Sequence, residues 1–257
     1  LDAKDLKFAD MTLPDGQVIF SAKEIQEIFA KLPTAMKQKD KFLEIKNALI
    51  KRLNRLIKTT ARSRKMRAAI DLLSDEEYND LIGKKRRNHF QSLDQEVFYI
   101  GEKIAERKFA QIYDGLYNGF FFDVYAQYQD FLTRTLPDSS HEFSENVEFH
   151  RISLSDCAPV LYLRDLLTGG GKNRSIEHLF IDEMQDYSMA TMIYLKHAFP
   201  NAKLTLLGDS EQALFNPLEE PKSLLQRLNE SLQIKNCRII ELNTSCLLYT
   251  SDAADDR

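Results

Sequence analysis

Apolar residues recur at two different spacings along this chain, and the change of spacing divides it. From about residue 20 to residue 135 they fall three and four apart, the period of a helix face. After about residue 140 the texture is mixed. Two short apolar runs then stand out, His178-Leu179-Phe180-Ile181 and Leu204-Thr205-Leu206-Leu207. Each ends in acid, the first in Asp182-Glu183 and the second in Gly208-Asp209. A short apolar run closed by carboxylates reads as a buried parallel strand whose C-terminal edge is exposed. In open α/β sheets that edge is where ligands bind. Ser188 to Phe199 suits a crossover helix between the runs, and Pro200-Asn201 stops it.

The earlier part of the chain predicts helices and one hairpin. Leu6-Lys7-Phe8 and Val18-Ile19-Phe20 flank Leu13-Pro14-Asp15-Gly16, whose proline and glycine favour a turn. Ser21 and Glu24 have the spacing of a capping box, opening a helix with Ile25, Ile28 and Phe29 on one face. A single long helix is predicted from Lys37 to Ala69, with Phe42, Ile45, Leu49, Leu53, Leu56 and Ile57 as its stripe. Ser74 and Glu77 form a second box. A helical region that can break follows from Leu93 to Thr135. Its aromatic group, Tyr113, Tyr117, Phe120, Phe121, Phe122, Tyr125, Tyr128 and Phe131, is predicted to be core. Leu136-Pro137-Asp138-Ser139-Ser140 reads as a linker, Ser155-Asp156 as the cap of a helix carrying Val160, Leu161, Leu163 and Leu167, and Thr168 to Asn173 as a flexible connector.

Composition and charge refine this picture. The 257 residues allow one large domain or two modest ones. No apolar run approaches the ~20 residues that span a bilayer, and the charged start LDAKDLKFAD is no signal peptide. Cysteines at 157, 237 and 246 have neither metal spacing nor an even-numbered framework, which points to a reducing, cytoplasmic setting. The net charge of −4 is mild, but its distribution is uneven. From Lys37 to Arg67 twelve Lys or Arg stand against two acids, and Lys84-Lys85-Arg86-Arg87 adds a second cluster. The long basic stretch reads either as a contact surface for nucleic acid or an acidic protein, or as a solvated helix face. No aromatic accompanies its basic positions, which argues against single-stranded nucleic acid. The second cluster reads as helix-end and solvent charge. Gly171-Lys172 suggests a phosphate-binding loop, but Leu166 and Asn173 break the pattern and no such loop occurs elsewhere in the chain.

The acidic strand tips suit magnesium-nucleotide hydrolysis. Asp182 can hold Mg²⁺, which prefers a few oxygen ligands together with substrate phosphates. Glu183, next along the tip and aimed elsewhere, can act as base toward the attacking water. Gln185 and Asp186 extend the constellation. At the second tip Asp209 follows Gly208, and the Gln212 amide is placed to contact a γ-phosphate.

At these residues the chain resembles the UvrD/Rep-type superfamily 1 helicases. Ile181-Asp-Glu-Met-Gln-Asp186 looks like motif II, and Leu207-Gly-Asp-Ser-Glu-Gln212 like motif III. Ile239-Ile-Glu-Leu-Asn-Thr-Ser245 looks like the lead-in to motif IV, with Cys246 where the family has the Tyr of Tyr-Arg-Ser. Within the superfamily the chain is most similar to the HelD-like, RNA polymerase-associated ATPases. The Asp156 to Leu167 segment ahead of motif II and the lysine-rich helical block carry that likeness. The resemblance implies an α/β fold: part of a RecA-like P-loop NTPase domain with a parallel sheet, preceded by a mainly α-helical insertion. It implies ATP and Mg²⁺ as cofactors, Glu183 and Gln212 as catalytic, and Asp182, Gln185, Asp186 and Asp209 around the nucleotide. Asp182 is the metal ligand. Expected partners are RNA polymerase and, alternatively, DNA or RNA, for a monomer outside the membrane.

The layout this implies is an insertion over residues 1–140 and the ATPase part over 141–245. Residues 246–257 resemble a translated transposase mosaic-end sequencing adapter and carry no expected function. Leu1 in place of Met suggests a fragment, inactive alone for want of a P-loop and a second RecA-like domain. Two other readings stand beside the polymerase-releasing motor: a conventional 3′-to-5′ DNA helicase, and a non-catalytic polymerase- or DNA-binding module.

Overall fold

The structure, a computed structural model, describes residues 5–83, 90–208, 229–231, 238 and 240. The chain divides into two compact units, with the boundary between Gly171 and Lys172. The first is helical apart from one hairpin, and the second is built on a small parallel sheet. The described residues are thus mixed α/β and mostly helical.

The hairpin of the first unit pairs β1 (Met11–Thr12) with β2 (Val18–Phe20) in antiparallel fashion. Its turn is the expected one, with Gly16 at φ +82° and its N–H donating to the Leu13 carbonyl at 2.9 Å. The first strand is a correction: residues 11–12 pair, not Leu6 to Phe8. Leu6 is buried and Phe8 bridges Phe122 instead, because those side chains gain more by joining the helical core than a two-stranded ribbon offers.

Helix α1 (Ala22–Ala30) starts at Ser21, whose hydroxyl accepts from the Glu24 N–H at 3.2 Å. The long helix predicted to Ala69 is two, α2 (Gln38–Ala61) and α3 (Arg64–Asp71). Ser63 makes the break, since its hydroxyl accepts from the Met66 N–H at 3.1 Å and caps a new helix. The predicted stripe faces inward: Phe42, Ile45, Leu49, Leu53 and Ile57 are buried, and Leu56 is partly so. Helix α4 (Asp75–Ile82) carries the Ser74–Glu77 capping box in full.

Helix α5 (Leu93–Tyr117) lies along α2. They approach so closely that a Cβ on Gly101 would sit 2.8 Å from the Ala61 carbonyl oxygen. A turn at Gly119, φ +74°, separates α5 from α6 (Val124–Thr135) and resets the helical phase. The aromatic group therefore divides, contrary to expectation. Phe121, Phe122 and Tyr128 are buried, whereas Tyr117, Phe120, Tyr125 and Phe131 are exposed.

The expected linker at 136–140 is a helix junction. Leu136 ends α6, and Pro137 opens α7 (Pro137–Glu148), a position where its missing N–H costs no bond. Helix α8 (Leu154–Thr168) starts at Ser153, two residues before the expected cap, and ends at Gly169 in the left-handed region. Its Val160 packs with Tyr128, Leu132 and Phe143, and its Leu167 joins the main core. The compact unit runs to Gly171.

In the second unit β3 (His178–Ile181) and β4 (Lys203–Leu206) pair in parallel, Leu179 with Leu204 and Ile181 with Leu206. Helix α9 (Met189–Ala198) crosses between them, capped by Ser188 through the Thr191 N–H at 3.2 Å. At its far end the Lys196 ammonium donates to the Ala202 carbonyl at 3.1 Å. Ile181 and Met192 are buried together, with Leu179, Met189, Leu195 and Leu206 against them. The strands were expected to be buried. Among the described residues α9 covers one face, and Phe180 on the other is 68% exposed, stacked on His178 at 4.5 Å.

Candidate functional site at the strand tips

The ladder runs past β3 and β4 into the acidic tips. The Leu207 N–H donates to the Ile181 carbonyl at 2.8 Å, and the Met184 N–H donates back to the Leu207 carbonyl at 2.9 Å. Between these bonds Glu183 adopts φ 51° and ψ 46°, the left-handed region that side chains other than glycine rarely occupy. Such strain costs on the order of 1–3 kcal/mol and recurs at functional sites. Its local effect is to reverse the chain into a single 3₁₀ turn, Met184–Asp186.

That turn arranges the predicted residues. Asp182 and Glu183 are both exposed, while Gln185 is buried at 4%. The Gln185 side-chain amide donates to a Glu183 carboxylate oxygen at 2.6 Å, so the buried amide aims the exposed acid. Asp182 accepts from the Glu183 N–H at 3.0 Å. One Asp186 carboxylate oxygen is shielded from solvent without a hydrogen-bond partner among the described residues. The second tip closes on the first. A Cβ on Gly208 would lie 2.5 Å from Met184 Cγ and 2.6 Å from Gln185 Oε1. Glycine is needed there for close approach, and this was not legible in its position after an apolar run.

The tip thus brings together Asp182, Glu183, Gln185, Asp186 and Gly208. Asp209 and Gln212 lie outside the described residues, as do Lys84 to Arg87, residues 241–245 and the 246–257 tail. Among the described residues no three His, Cys, Asp or Glu side chains converge as a metal cage. The donors present are hard carboxylate oxygens on an exposed edge. They fit Mg²⁺, which takes one or two carboxylates and fills its shell with water and phosphate oxygens.

The basic stretch is partly consumed by the fold. Lys41 is buried over Phe29, Arg52 pairs with Glu24, Arg62 stacks on Phe98, and Arg67 pairs with Asp94. Lys51, Arg55 and Lys58 instead line a cleft of about 430 Å³ with Asn47, Ile50, Asn54 and Tyr117. This corrects the expectation that no aromatic accompanies the basic face. Tyr117 arrives from α5, and no local sequence signal announces it. No helix among the described residues is long and apolar enough to cross a membrane. Comparison with protein-family profiles and with curated proteins yields no match.

Proposed function

We propose that this chain is part of a superfamily 1, HelD-like ATPase that binds RNA polymerase and releases it from nucleic acid or stalled complexes. The observation that supports this most is the register of the two strand ends. Two parallel strands joined by a crossover helix end side by side, with the DEMQD turn closed against Gly208. A RecA-like domain would continue this sheet, and the helical first unit would be its insertion.

In this reading Asp182 holds Mg²⁺ and Glu183, aimed by Gln185, takes the proton of the attacking water. Asp209 and Gln212, which belong to the motif III-like segment of the sequence, would act at the nucleotide, Gln212 toward the γ-phosphate. Bound Mg²⁺ supplies charge neutralisation at the transferred phosphoryl group. The lysine-bearing phosphate loop would come from chain outside these 257 residues.

ATP turnover by the longer protein tests the assignment. Replacing Glu183→Gln should lower kcat by about 10²–10⁴, the usual contribution of a general base. Turnover within a factor of about two of the parent would remove Glu183 from that role. The cleft cations of α2 favour a second reading, a conventional 3′-to-5′ helicase. Robust unwinding of a tailed duplex without polymerase would select it, and polymerase co-purification with weak unwinding would select the first.

A further inference from the structure

We propose that the cleft between α2 and the C-terminal end of α5 is a binding site for single-stranded nucleic acid. The site is separate from the strand tips and needs no nucleotide, so it stands or falls independently of the ATPase assignment.

Asn47, Lys51, Asn54, Arg55 and Lys58 recur at four-, three-, one- and three-residue steps, which places all five on one face of α2. All five are exposed. Lys41, Arg52, Arg62 and Arg67 are drawn into ion pairs or onto rings, whereas among the described residues Lys51, Arg55 and Lys58 have no acidic partner. Among the described residues no acid lines the cleft. Along the helix axis Lys51 and Lys58 are about 10 Å apart, enough to meet successive phosphates of an extended strand.

Tyr117 decides the ligand class. It is 55% exposed at the end of α5, beside the cations. Its hydroxyl is held by that of Tyr113 at 3.2 Å, with the ring centroids 4.9 Å apart, so the ring is braced from behind. The Lys46 ammonium lies 5.5 Å from its centroid, adding a fourth cation at the ring. An exposed ring beside a row of cations and amides is what an unpaired base with its phosphates requires. An acidic peptide would use the cations but gain nothing from the ring, and a duplex does not offer its base faces.

Fluorescence anisotropy of the whole chain with labelled twelve-residue oligo-dT and oligo-U, over a salt series, tests this. Binding to either is expected, with log K falling against log salt at a slope of about −2 for three phosphate contacts. The stronger of the two identifies DNA or RNA as the source of the strand. The Lys51→Gln, Arg55→Gln, Lys58→Gln triple variant should lose most of that slope. Tyr117→Leu should weaken binding on the order of tenfold with the slope kept, and Tyr117→Trp should retain affinity. Three results would overturn the proposal: no binding to either oligonucleotide at low salt, Tyr117→Leu binding like the parent, or polyglutamate displacing the strand as well as unlabelled oligonucleotide. The Trp and charge variants keep the test decisive should the Leu variant fold poorly.

Discussion

Glu183 is where a single residue's backbone carries the most consequence. Its left-handed conformation leaves the adjacent carboxylates differently held, that of Asp182 accepting from the Glu183 N–H and that of Glu183 from the Gln185 amide. Gly208 locks that turn from the neighbouring strand. Gly208→Ala should therefore destabilise the second unit by about 1–3 kcal/mol, the usual cost of overpacking, read as a lower urea midpoint. A midpoint equal to the parent's would mean that Met184 and Gln185 move aside freely. Gly171, which suggested a phosphate loop, has a packing reason of its own. At φ +72° a Cβ there would fall 1.6 Å from a carboxylate oxygen of Asp165, a side chain only 1% exposed. The glycine accommodates a buried acid.

At the scale of elements, three helix starts were read from a serine whose side chain reaches an amide three residues on. Ser21, Ser74 and Ser188 all cap as their spacing implies. The Ser74–Glu77 box adds a pH dependence with a definite sign. The Ser74 backbone N–H, and then its hydroxyl, hold the Glu77 carboxyl below its ordinary value of 4.5. A depressed folded pKa contributes stability above the unfolded value, and that contribution fades as pH falls through the folded one. The urea midpoint of the parent should exceed that of Glu77→Gln near neutral pH, and the difference should shrink in acid. A difference that stays constant into acid would show that the box owes nothing to the carboxylate charge. Junctions were read less well. Ser63 splits one predicted helix and Pro137 joins two helices where a linker was expected, because both residues can either end an element or begin one.

At the scale of the molecule, each unit has its own core. That of the first runs from Leu6 to Leu167 and is centred on the α2 stripe, where Ile45, Leu49 and Leu53 are fully buried. Leu49→Ala should cost about 2–5 kcal/mol, with far-UV dichroism and tyrosine fluorescence reporting one shifted urea transition. Separate transitions in the two signals would mean that this core is not one cooperative body. The sequence alone determined the α2 stripe, the caps at Ser21, Ser74 and Ser188, the bounds of β3 and α9, and the acids that follow the strands. Periodicity and capping are local, so a few neighbouring residues suffice to specify them. Only the tertiary structure decided that Leu6 and Phe8 leave the hairpin for the core, that Gly208 clamps the DEMQD turn, and that Tyr117 stands beside Lys51, Arg55 and Lys58. Each depends on residues far apart in the chain competing for the same space. No spacing along the sequence encodes which of them wins.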